Sequence, residues 1–141
     1  MNRIVLISCV SEKLDTRSKA EDLYVSLLFR LSLSYARQLR PNSIFILSAK
    51  YGLVPLTEEI DPYNLTLKDM SSRQVREWAD RVLDQLRSYT DIQHDPFIFL
   101  AGEKYRKYLI QQMRSFEVPM ERLRIGEQLQ FLKRRLNECS S

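Results

Sequence analysis

Glycine, histidine and cysteine are all scarce in this sequence. Its 141 residues include three glycines, one histidine, two cysteines and one tryptophan. There is no Walker-type phosphate loop and no dinucleotide fingerprint, because the three glycines stand far apart, at positions 52, 102 and 126. Two cysteines, Cys9 and Cys139, exclude a disulfide framework and a cysteine-rich zinc site. A reducing cytoplasm is the expected location. His94, before Asp95-Pro96, reads as a loop residue with no second and third ligand at usable spacing. Neither a metal centre nor a histidine triad is expected, and nothing calls for a cofactor. Long apolar runs are missing too. Ile4 to Ile7 and Phe97 to Ala101 are the longest, far short of the roughly 20 residues that span a bilayer. The N-terminus opens on a strand-like run without a signal-peptide pattern.

What is present is the balance of a globular domain: 44% hydrophobic and 28% charged residues. One α/β domain over residues 1–141 is expected. The net charge is +4, and it is unevenly placed. Residues 1–100 balance, whereas residues 101–141 hold nine Lys and Arg against five Glu. That skew fits a polyanionic partner, and it also fits a solvated helix face.

Three continuous runs, Ile4 to Ile7, Ile44 to Leu47 and Phe97 to Leu100, read as strands buried on both faces. Helical periodicity separates them. A first helix is expected from Ser18, with Glu21 completing a capping box, to Pro41. A second starts at Ser71 with Gln74 in the capping-box position. A third starts at Glu103 and a fourth at Gly126. The order implies a three-layer α/β fold with a small, mostly parallel sheet of three to four strands, flanked by helices. The fourth strand is sought around Arg122 to Ile125.

Ligands of such sheets bind beyond the carboxyl ends of the strands. Ser8, Cys9, Ser11 and Lys13 follow the first strand. Ser48, Lys50, Tyr51 and Gly52 follow the second. Gly102 follows the third and opens a helix. Ser8, Ser11, Lys13, Lys50 and Gly102 could hold a phosphate or polar edges, and Tyr51 or Tyr63 could stack on a base. Cys9 is a nucleophile candidate beside Lys13. The stretch from Leu47 to Leu67 reads as one long functional loop. Within it, Pro62 stiffens a turn that offers Asp61 as acid, base or acceptor, within reach of Lys50 or Lys13.

Leu47-Ser48, Tyr51-Gly52-Leu53 and Pro55, then Ile60, Pro62-Tyr63 and Leu65, resemble the signature of the YaaA-like proteins, a bacterial family linked to peroxide stress and DNA binding. This chain is much shorter than those proteins, and Lys50 departs from their pattern. Ile7-Ser8-Cys9, Ser11, Lys13, Ala20, Leu23-Tyr24, Ser26 and Phe29 are similar to a small stand-alone domain of unknown function. That likeness continues through Leu100-Ala101-Gly102, Tyr105 and Leu109 to Pro119, Gly126 and Leu132. Cys9, Lys13, Tyr24 and Ser26 also resemble a block in the core of archaeosine synthase, which modifies a base in transfer RNA. These likenesses add Tyr24, Ser26 and Tyr105 to the candidate site. They imply a domain that recognises a nucleobase or nucleotide, free or within a nucleic acid. If chemistry follows, base modification or C–N bond cleavage is its class. The alternative is a non-enzymatic nucleic-acid-binding module that uses its basic C-terminal helices.

Overall fold

β-Branched and aromatic runs alternate with amphipathic helices along the chain, and the structure, a computed structural model, follows that alternation. It describes residues 2–8 and 12–139. In chain order the elements are β1 (Ile4–Ser8), β2 (Ser18–Lys19), α1 (Ala20–Leu23), α2 (Leu27–Gln38), β3 (Ser43–Ser48), β4 (Gly52–Pro55) and β5 (Glu59–Ile60). A 3-10 turn (Leu67–Asp69) follows, then α3 (Ser72–Leu86), β6 (Phe97–Leu100), α4 (Glu103–Ile110), β7 (Phe116–Glu117) and α5 (Ile125–Cys139).

The main sheet runs β4-β3-β1-β6-β7. β1 is parallel to β3 and β6, β7 is parallel to β6, and β4 is antiparallel to β3. Side chains of a strand alternate between faces, and here both faces are covered. Ile4, Leu6, Phe45, Leu47, Phe97 and Phe99 pack with α3 and α4. Val5, Ile7, Ile46, Ile98 and Leu100 pack with α1, α2 and α5. Burial on both sides is why the three runs are continuously apolar. The three-layer α/β architecture is therefore as expected, although with five strands in place of three to four.

Local structure departs from expectation where long-range pairing outcompetes local signals. Ser18 does not cap a helix. It joins β2, which pairs antiparallel with β5 through Ser18↔Ile60 and Lys19↔Glu59. The chain then makes the single turn α1, extends through Tyr24, and restarts as α2. Ser26 is the cap of α2, its Oγ accepting from the Phe29 N–H at 3.2 Å. The Leu47 to Leu67 stretch is no open loop either, because it contributes β4 and β5 to the two sheets. Among the described residues no strand forms at Arg122 to Ile125, where a turn leads into α5. The Ser71–Gln74 capping box forms as read, with both reciprocal bonds present. Among the described residues no helix is long and apolar enough to cross a membrane.

Candidate functional site

β1, β3 and β6 share a direction, so Ser8, Ser48 and Leu100 lie at one edge of the sheet. From β1 the chain moves to β3 on one side, then crosses back to β6 on the other. That reversal places a switch point between β1 and β6, the position where open α/β sheets bind ligands. A cleft of about 340 Å³ opens there. Its floor includes Ser8, Ala101 and Gly102; its apolar walls include Leu28, Val118, Met120 and Leu123; its charged residues are Glu103, Arg106 and Arg122. The Ser8 Oγ accepts from the Gly102 N–H at 3.2 Å and ties the two strand ends together. Gly102 is the N-cap of α4, with no side chain capping it. Arg106, one turn further on, donates to the Ala101 carbonyl at 2.8 Å. Arg122 projects from a turn closed by bonds from the Glu121 and Leu123 amides to the Val118 and Met120 carbonyls. Its φ of 70° lies in the left-handed region, which favours glycine.

On the other side of β1, the turn from β3 to β4 is fixed by α3. The Trp78 Nε1 donates to the Ser48 carbonyl at 2.8 Å, and Arg81 donates to the Lys50 carbonyl at 2.9 Å. Gln85 accepts from the Leu53 N–H at 2.8 Å and donates to the Tyr51 carbonyl at 3.2 Å. The Ser48 Oγ, fully buried, accepts from the Tyr51 N–H. Gly52 has φ 78°, and a Cβ there would overlap the Gln85 Oε1. Ser48 and Gly52 thus build the turn that holds out Lys50 and Tyr51.

Those two join a group of cations on aromatic rings. The Lys13 Nζ sits 4.6 Å from the Tyr63 ring centre and 5.7 Å from that of Tyr24. The Lys50 Nζ sits 5.2 Å from the Tyr51 ring. The Tyr51 and Tyr63 rings meet edge to face at 5.7 Å, and the Tyr24 and Tyr63 hydroxyls are 2.6 Å apart. Three tyrosine rings, those of Tyr24 and Tyr51 each nearly at right angles to that of Tyr63, with ammonium groups over their faces, suit cation–π contact. Lys13 and Lys50 are thus joined through the Tyr63 and Tyr51 rings.

The remaining expected residues separate. Asp61 pairs with Arg17 at 3.1 Å, both exposed, and not with Lys13 or Lys50. The reason is the β2–β5 ladder, which draws Arg17 to the strand that Asp61 follows. Tyr105 is 6% exposed and meets the Trp78 ring at right angles in the core beneath α3 and α4, away from the cleft. Ser26 serves α2 as its cap. Cys9 and Ser11 lie outside the described residues. Of the expected residues, Ser8 and Gly102 line the cleft among those described; Lys13, Tyr24, Lys50, Tyr51 and Tyr63 form a separate group that does not line it. Arg106 and Arg122 escaped the sequence reading, which saw them only as part of a basic tail. Arg106 had a signal, because it lies one helical turn past Gly102 at a strand end; Arg122 had none.

Among the described residues two titrating groups are shifted, and neither lines the cleft. The Tyr108 phenol is held below its ordinary value chiefly by its bond with Arg76, with Lys107 adding to the effect. The Asp91 carboxyl is lowered chiefly by its bond with His94, at 2.8 Å. Among the described residues no group of three or more His, Cys, Asp or Glu is placed to hold a metal ion.

No curated protein matches the chain. A family model does match, from residue 4 to residue 134, and it takes in the whole sheet, the cleft and the tyrosine–lysine group. The chain belongs to that family, a family of unknown function (DUF6884).

Proposed function

We propose that this protein recognises a nucleotide or nucleobase, free or within a nucleic acid, at the carboxyl edge of its sheet. The observation that carries the reading is the cleft at the β1–β6 switch point, with apolar walls and two arginines, while edge-to-face tyrosines that carry lysines lie on the other side of β1. Its volume of about 340 Å³ lies at the small end of the roughly 300–1,000 Å³ typical of small-molecule sites. That suits one nucleotide unit rather than a polymer laid across it. The likeness of Leu47 to Leu65 to YaaA-like proteins points the same way. Should the protein act on what it binds, base modification or C–N bond cleavage fits a site that offers Lys13 and tyrosine hydroxyls. Calorimetric titration with nucleosides and nucleoside monophosphates tests the reading. Saturable binding that Tyr51→Ala weakens supports it, and its absence for every base refutes it.

A second reading has its own observation. Lys133, Arg134 and Arg135 are exposed on α5 and could follow phosphates without any use of the cleft. Replacing all three by alanine should then abolish most binding to DNA or RNA and flatten its salt dependence. Unchanged affinity at low salt would assign those charges to solvation.

A further inference from the structure

We infer that Arg106 and Arg122 together clamp a phosphate or similar oxoanion in the cleft, so that the ligand at this edge is a phosphorylated nucleotide rather than a free base or nucleoside. The clamp takes the nucleotide part of its ligand from the function proposed above. The anion part stands on its own observations.

Arg106, half-buried, and Arg122, exposed, come from separate elements, α4 and the turn before α5, and line one cleft. Among the described residues neither forms a salt bridge. Arg106 bonds the Ala101 carbonyl through one nitrogen, which fixes its position while using only part of a guanidinium's donor set. The Ser8 hydroxyl accepts from Gly102 and keeps its own hydrogen to donate. Leu28 and Met120 replace water on the walls, which strengthens any charge interaction made there.

Arg122 adds a further indication. Its backbone sits at φ 70°, where glycine would be relaxed and any side chain is strained. The turn therefore gains nothing from arginine at this position; the cleft does, because it gains a second fork suited to phosphate. Glu103 lines the same cleft and opposes an anion. It is exposed, in the first turn of α4, where the helix dipole favours a carboxylate. Two arginines outweigh it.

The full chain would be titrated with inorganic phosphate, the common ribonucleoside 5′-monophosphates and the matching nucleosides, with backbone amides followed by NMR. Phosphate and the monophosphates should shift the amides of Gly102, Glu103 and Leu123. Arg106→Gln and Arg122→Gln should each weaken binding by about tenfold or more, the loss of one charge-assisted contact. Arg122→Gly relaxes the backbone, so it should lose the same affinity with no fall in Tm. That variant separates anion binding from folding. Absence of phosphate shifts, or shifts that persist unchanged in the arginine variants, would overturn the clamp. If nucleosides bind as tightly as monophosphates and the arginine variants bind both normally, the clamp fails while base recognition stands. If monophosphates bind through the arginines but no tighter than phosphate, the clamp stands and nucleotide recognition fails.

Discussion

Replacing Gly52 with alanine perturbs the β3–β4 turn through two separable effects. The first is backbone strain, because φ is 78° and a left-handed L-residue costs about 1–2 kcal/mol. The second is collision. The new methyl group would overlap the Gln85 Oε1, and that amide holds the turn at both the Leu53 N–H and the Tyr51 carbonyl. Losing two such bonds costs about 0.5–1.5 kcal/mol each. Alanine returns about 0.4–1 kcal/mol by restricting the unfolded chain. The net loss is about 1–4.6 kcal/mol. At about 2–4 °C per kcal/mol for a domain near this size, Tm should fall by about 2–18 °C. Urea unfolding followed by circular dichroism gives the free energy directly. In a Gln85→Ala background the collision disappears, and Gly52→Ala should cost only its strain less the same return, about 0–1.6 kcal/mol. Equal losses in the two backgrounds would show that the amide does not feel the methyl group. A loss under about 0.5 kcal/mol in the parent, the range of an ordinary surface change, would refute the turn geometry itself.

Ser26→Ala should destabilise the protein by about 1 kcal/mol as the cap of α2 is lost. Ser18→Ala should stay within about 0.5 kcal/mol of the parent in the same urea series, since Ser18 caps nothing. Asp61→Asn removes an exposed pair with Arg17 and should change stability by no more than about 0–1 kcal/mol; a larger fall in Tm would give Asp61 a structural role. The Asp91 carboxyl should titrate below its ordinary value of 3.8. Because the folded value is the lower one, the stabilisation is complete above pH 3.8 and vanishes as pH falls through the folded value. His94→Ala should return the carboxyl toward 3.8, as read by carbon-detected NMR; an unmoved midpoint would assign the shift to another cause.

The parts of the fold that were legible are those whose residues state their own burial. Ile4 to Ile7, Ile44 to Leu47 and Phe97 to Leu100 became β1, β3 and β6 because only a strand covered on both faces can use an unbroken apolar run. Ser71 and Gln74 marked α3 because both capping bonds are local. β4 was illegible for the opposite reason. It begins with Gly52 and ends with Pro55, both poor strand residues, and it exists because β3 offers an edge. β7 is two exposed residues paired to β6. The capping box at Ser18 was a sound local pattern that the ladder to β5, some forty residues away, overrode. In the site, strand ends located Ser8 and Gly102, and the loop's tyrosines drew attention for their chemistry. No spacing in the chain announces that the turn at Arg122 returns to the end of β6.

The central position of β1 sets the timetable of folding. Ile4 needs Ser43 on one side and Phe97, 93 positions later, on the other. At about 5–20 residues per second of synthesis, β1 is made roughly 5–19 s before its β6 partner. Through that interval four residues meant for a doubly covered strand have at most half their sheet. Closing so long a loop is entropically slow even in the released chain. The same topology that creates the switch point therefore leaves the apolar strand β1 without its second neighbour until most of the chain has been made. Refolding from denaturant should be slow and sensitive to concentration.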